Sequence, residues 1–317
     1  MGIYNANQFA QNISGLGGVS EVYMVTTSTA SSGYPRSFWG RWFKPRRNLY
    51  DTIAEAEAAL QGGINEVVLL SPESHSLSSA LTWDKSNSAL IGLAPDASFM
   101  NQRSRIGMSA DFAAMMTVSG NGNLFKNLYF MHGRGNAANL NCLTVSGDRN
   151  VFVGCHFAGP QNAAEAAAAG YDLIRLDGAE ETIFRGCTIG NVTITSTTTN
   201  LVELQADAGA VMFEDCIFLI NSGGANNTVL KLDTGGMDRP IIFKNCIGIA
   251  TGTSCTYAIT GDYLKTHKKV YLFNTDFSGF GDVCSANNES HVISMAGSAL
   301  RASDASNSLG VAYDHTD

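Results

Sequence analysis

The sequence predicts an all-β solenoid, a single ribbon of parallel strands wound into coils of about thirty residues. Three observations predict it. A six-residue segment recurs along the chain, a second segment recurs ahead of it, and charges alternate in sign from one repeat to the next.

The six-residue segment reads Phe125-Lys-Asn-Leu-Tyr-Phe130, Phe152-Val-Gly-Cys-His-Phe157 and Phe184-Arg-Gly-Cys-Thr-Ile189. It returns as Phe213-Glu-Asp-Cys-Ile-Phe218 and Phe243-Lys-Asn-Cys-Ile-Gly248 and fades at Leu272-Phe-Asn-Thr-Asp-Phe277. First positions are spaced by 27, 32, 29, 30 and 29 residues. A unit of that length cannot bury its own apolar face and must stack on its neighbours. The preceding segment runs Met116-Thr-Val-Ser-Gly120, Leu143-Thr-Val-Ser-Gly147, Ile174-Arg-Leu-Asp-Gly178, Val202-Glu-Leu-Gln-Ala206 and Leu230-Lys-Leu-Asp-Thr234. Its apolar–polar alternation is the period of a half-buried strand. Gly, Asp and Asn between the segments tolerate the left-handed backbone of a sharp corner. Each unit therefore reads as strand, tight turn, strand and a longer variable loop.

Winding these units as a coil sets equivalent strands side by side, parallel and in register, with a rise of about 4.8 Å per coil. Equivalent residues then form ladders. The inner one is Phe125, Phe152, Phe184, Phe213 and Phe243, continued by Leu272. Two outer ladders place Arg185, Glu214 and Lys244 on one strand and Arg175, Glu203 and Lys231 on the other, expected to be exposed. Their worth is in register, because a one-residue slip would bury every charge. Cys155, Cys187, Cys216 and Cys246 share one repeat position and read as an interior row of thiols. In-register Cβ atoms about 4.8 Å apart are too far for a disulfide. A straight row also cannot surround a metal tetrahedrally. No metal and no cofactor is expected.

On these repeats, over about residues 60–300, the chain resembles a right-handed, single-stranded parallel β-helix of the pectate-lyase-like superfamily. An N-terminal helical and aromatic cap is expected, since an open coil end exposes strand edges that must be covered. Thr52 and Glu55 form a capping box for a short helix before Gly62-Gly63, and Val67–Leu70 reads as the first core strand. One further strand is expected at Val22–Val25, a helical turn in the Ala-rich 161–170 and a loop over the Thr-rich 191–200. The organisation is an arm with a basic aromatic segment over 1–48, the coil over 49–300 and a polar tail over 301–317.

The 317 residues are 44% hydrophobic and 15% charged, with a net charge of −8, which opposes non-specific nucleic-acid binding. No apolar stretch of about 18 residues is present, so no membrane partner is expected. The opening residues lack a basic segment followed by an apolar one, so no secretory signal is expected. The sequons at Asn12, Asn191, Asn226 and Asn288 are accordingly expected to be bare. The odd number of cysteines, seven, suits synthesis in a reducing cytoplasm.

No complete lyase or glycosidase motif accompanies the repeats. Asn274-Thr-Asp276 matches only one short polygalacturonase element, and the histidines show no metal-ligand spacing. His156 is expected to face solvent. Asp172, Asp177, Glu203, Asp207 and Asp233 are the acids that a cross-coil cluster would draw on. The outward strand faces look short and plain, with the aromatics mostly on the inner ladder. The chain thus also resembles virion-associated β-helix proteins of tailed bacteriophages. That resemblance implies a non-enzymatic capsid decoration or cement protein, or a short head fibre, made in the host cytoplasm and located on the virion. A capsid or other virion protein would be its partner, and the resemblance alone implies a homotrimer. Arg36, Trp39, Arg41, Trp42, Arg46 and Arg47 are the expected docking anchors, since interface cores favour Arg and Trp. The alternatives are a tail-spike-type polysaccharide depolymerase (lyase or glycosidase) and a carbohydrate-binding adhesin.

Overall fold

The computed structural model describes residues 18–27, 48–93, 104–133, 140–168, 170–233, 237, 239–253, 255–261, 269–284, 291–295 and 299–302. The expected docking anchors between Arg36 and Arg47 lie outside these residues, as does the tail from 303.

The chain is a right-handed parallel β-helix. Among the described residues, parallel strands form an 11-stranded sheet, a 10-stranded sheet and a 7-stranded sheet, here sheets A, B and C. Among the described residues, each coil from Leu81 to Asp282 contributes strands in the order C, A, B, with Cys255–Tyr257 an additional short strand of sheet B. The Val202 coil is an example, with strands Asn200–Gln205 in C, Met212–Glu214 in A and Ile217–Ser222 in B. The repeat thus holds three strands where the sequence segments suggested two. The six-residue segment spans a corner, and its last residues begin the strand in sheet B.

That corner is tight because its residue adopts positive φ: 54° at Asn127, Asp215 and Asn245, and 59° at Gly154 and Gly186. Short polar residues and glycine tolerate this region best. The corner side chains also bond along the stack, from Asn245 Nδ2 to Asp215 Oδ1 at 3.1 Å and from Asn274 Nδ2 to Asn245 Oδ1 at 3.1 Å. The corner between sheets C and A carries a buried polar ladder. The Ser88 amide donates to Asn123 Oδ1 at 3.0 Å, and the Asn123 amide to Asn150 Oδ1 at 3.0 Å. Without such partners these buried donors would each lose about 1–3 kcal/mol.

The core is a pile of rings. Phe125, Phe152, Phe184, Phe213 and Phe243 pair in register, with successive centroids 4.8, 4.8, 5.1 and 4.9 Å apart and planes within 19°. Leu90 precedes the column and Leu272 follows it. Each ring is fully buried, which stabilises the coil by about 1.5–3 kcal/mol per side chain. Phe130 and Phe157 start a second column from sheet B, 4.9 Å apart. All seven cysteines are free and buried. In the interior row each thiol donates to the carbonyl of a ladder Phe one coil back: Cys155 to Phe125, Cys187 to Phe152, Cys216 to Phe184 and Cys246 to Phe213, at 3.5, 3.5, 3.4 and 3.3 Å. Burial pushes the Cys187 and Cys216 thiols well above their ordinary range, so they remain protonated and unreactive.

At the N-terminal end, helix α1 (Ile53–Ala59) carries the complete Thr52–Glu55 capping box and buries Ile53 and Ala56. A second helix, α2 (Ala163–Ala166), forms the Ala-rich turn. The segment expected as a Thr-rich loop differs: Thr188–Ser196 is one nine-residue strand, and Asn200 already begins the next. β-branched residues at 192–195 fit a pleated surface better than a loop. His156 also differs. It is buried at 4% exposure, with Nε2 3.3 Å from the Gly190 carbonyl and its ring edge-on to Tyr129. Burial lowers its pKa. Alternation along so short a strand did not reveal that the next coil covers this position.

Candidate functional site

The outer face of sheet C holds a dense network of charged and polar side chains. Strands Asp172–Asp177, Asn200–Gln205 and Thr228–Leu232 pair in register, so Arg175, Glu203 and Lys231 form one column. A second column, three residues upstream, is Asn141, Asp172, Asn200 and Thr228. The register that stacks the apolar core therefore assembles these polar columns as well.

The two columns are cross-linked. Arg175 Nη2 donates to Asp172 Oδ2 at 2.5 Å, and Arg175 Nε lies 3.2 Å from Glu203 Oε2. Lys231 Nζ donates to Glu203 Oε1, and Gln205 Nε2 donates to Glu203 Oε2 at 2.6 Å. On the other column, Asn200 Nδ2 donates to Asp172 Oδ1 at 2.7 Å and Thr228 Oγ1 donates to Asn200 Oδ1 at 3.0 Å. The result is a continuous chain of opposite charges: Asp172, Arg175, Glu203, Lys231.

This ladder was expected to be exposed, and it is not. The Glu203 side chain retains only 2% of its exposure, and Asp172 is equally buried. Arg175 and Lys231 are partly exposed and lie over the acids. Burial raises the Glu203 pKa above the ordinary glutamate value, and the neighbouring Asp172 carboxylate adds to this, while Lys231 opposes it. Burial alone would lower the Lys231 pKa, but the hydrogen bond and charge of Glu203 win and raise it. Lys231 is therefore a fixed cation at neutral pH.

Lys231 also lines a shallow groove of about 400 Å³. Asn200, Thr228, Lys231 and Thr260 contribute from sheet C, Tyr257 from the strand Cys255–Tyr257 of sheet B, and Asn226 from the turn before Thr228. The lining offers one cation amid hydroxyls, amides and a phenol. Such a surface can hold a polyhydroxylated chain bearing negative groups. Asp172 and Glu203 do not line the groove.

Of the five acids singled out from the sequence, the structure joins Asp172 and Glu203 through Arg175. Asp177 ends its strand at an exposed position, Asp207 sits in an exposed turn, and Asp233 follows the strand that carries Lys231. Arg175 and Lys231 were legible only as register-setting charges. Asn200, Thr228, Thr260 and Tyr257 were missed. The polar column Asn141, Asp172, Asn200, Thr228, recurring at the repeat spacing, was the signal that could have found two of them.

No protein-family model and no curated protein matches the sequence. Solved structures do match the fold. The pectin methylesterase from Aspergillus niger shares 18% identity at a TM-score of 0.57, covering 92% of this chain and 88% of that one. Pectin methylesterase from carrot shares 14% at 0.60, covering 92% and 86%. The pectate lyase Pel9A shares 12% at 0.50, covering 93% and 84%. The fold is that of the pectate-lyase-like β-helix.

At such identities the likeness carries the fold. It also corrects the expectation of a non-enzymatic virion scaffold, because the coils it matches over almost their whole length are those of carbohydrate-processing enzymes. The physical premise of that expectation fails as well. The outer strand faces are not plain, since sheet C carries a buried charge network. The aromatics do sit mostly inside, with Tyr271 and Phe273 among those in the outward columns of sheet A, in register with Ile242 and Lys244.

Proposed function

We propose that the protein processes an acidic polysaccharide held in the groove on sheet C. The observation that carries this reading is the buried ladder that fixes Lys231 as a cation on the floor of a groove lined by hydroxyls and amides. A uronate or sulfate group on the glycan would take Lys231 as its counter-ion, and Asn200, Thr228 and Thr260 suit sugar hydroxyls. The pectin methylesterases and the pectate lyase that share the fold support this choice of polymer class. Lys231 acts as a charge anchor and not as a base, because its ion pair holds the proton on.

The test is a panel of methyl-esterified and free polyuronates, a sulfated glycan and a neutral glucan. Released methanol, new reducing ends and ultraviolet absorbance of an unsaturated product separate de-esterification, hydrolysis and elimination. Product from one or more acidic polymers and none from the glucan is expected. Absence of both binding and product across the acidic polymers would overturn the reading.

A further inference from the structure

The charge ladder that ends at the groove is balanced before any ligand arrives. Asp172 and Glu203 contribute two negative charges, and Arg175 and Lys231 two positive ones, each paired within the ladder. An anionic ligand on Lys231 leaves the site with one negative charge too many. Lys231 is the terminal cation of the ladder, and its hydrogen bond to Glu203 is the one a ligand anion competes for. Glu203 has nowhere to move, since its side chain is buried and held by Gln205 at 2.6 Å and by Arg175 at 3.2 Å. Its own surroundings already disfavour its charge.

We propose that Glu203 takes up a proton when an acidic sugar binds Lys231, which makes Glu203 a positioning residue that couples ligand charge to pH. This rests on the reading of the groove as an acidic-polysaccharide site. The charged groups around Glu203 are Asp172, Arg175 and Asp177 on the preceding strand, Lys231 on the following one and Asp233 just past its end. Arg175 then faces both Asp172 and Glu203, so two carboxyls share one cation and one proton restores neutrality. No bond other than the O–H on Glu203 forms, and the proton comes from solvent.

The sign follows from linkage. Binding that takes up one proton weakens by up to about tenfold for each unit rise in pH. The window runs from the Glu203 pKa in the empty groove, already raised, to its higher value in the occupied one.

The experiment is calorimetric titration of the full chain with a galacturonate oligomer in buffers of different ionisation enthalpy across a pH series. Wild type should take up about one proton in that window. Glu203→Gln mimics the protonated carboxyl and keeps its size, so it should bind with no proton uptake, with affinity flat in pH and tighter than wild type at the alkaline end. Wild-type binding without proton uptake, or uptake that persists in Glu203→Gln, would overturn the coupling alone. No binding by any folded variant, verified by circular dichroism, would overturn the coupling and the groove assignment together.

Discussion

Two ladders of this molecule have the same sequence pattern and opposite electrostatics. On sheet A the column is Arg185, Glu214 and Lys244, and on sheet C it is Arg175, Glu203 and Lys231. In both, the glutamate bridges an arginine one coil back and a lysine one coil ahead. The Glu214 side chain keeps 14% exposure and Glu203 keeps 2%. Hydrogen bonds from Lys244 and Arg185 lower the Glu214 pKa, whereas burial raises that of Glu203. Solvation thus decides what an identical triplet does. The exposed triplet sets register. The buried one, flanked by Asp172 and opening on a groove, is poised to respond to a ligand.

The largest effect expected is on the scaffold both ladders share. Phe213→Lys places an unpaired charge in the ring column and should abolish cooperative unfolding, and Phe213→Ala should cost about 3–5 kcal/mol in denaturant melts. If Phe213→Lys kept a native melting transition, the ring column would not be what holds either ladder in register. Next comes the buried triplet. Glu203→Ala strips both cations of their shared partner and should destabilise by about 3–5 kcal/mol, with Glu214→Ala changing the midpoint far less. Equal losses would erase the distinction between the two faces.

Carboxyl resonances should place Glu214 below the ordinary glutamate value and Glu203 above it. The stability signs follow. Glu214 holds its proton less tightly when folded, so its contribution is complete above the ordinary value and is lost as pH falls through the lowered one. Glu203 holds its proton more tightly when folded, so its contribution is fullest below the ordinary value and declines as pH rises through the raised one. Matching pKa values for the two glutamates would contradict the account. The smallest effect is the charge swap: Arg185→Glu with Glu214→Arg should restore the 185–214 contact that either single change loses, because the two sit side by side across coils, while the Lys244 contact stays lost.

Much of the coil was legible in the sequence, because the features that build it repeat. Phe125 through Phe243 mark the inner column, and the polar corner residues mark the turn. What could not be read was burial on the outer face. Alternation reveals that Glu203 and Glu214 point outward, but not that Arg175 and Lys231 lie over one of them. The third strand of each coil was hidden for a related reason. His156-Phe157 is too short to show a period, and only the neighbouring coil shows that it is a strand. The corner ladder Ser88, Asn123, Asn150 was missed because those positions fall between the recurring segments. Asn226 was missed because it sits in a turn between strands, and Tyr257 because its strand, Cys255–Tyr257, belongs to no recurring segment.

The central claim is that sheet C, and not the look-alike ladder on sheet A, engages an acidic polysaccharide. Parallel measurement of Lys231→Met and Lys244→Met against an acidic polymer tests it most directly, reading both binding and product. The account predicts that Lys244→Met behaves as wild type and that Lys231→Met loses at least tenfold in affinity, the loss of a charge-assisted contact of about 1.5–3 kcal/mol. Equal behaviour of the two variants, or loss confined to Lys244→Met, would contradict it.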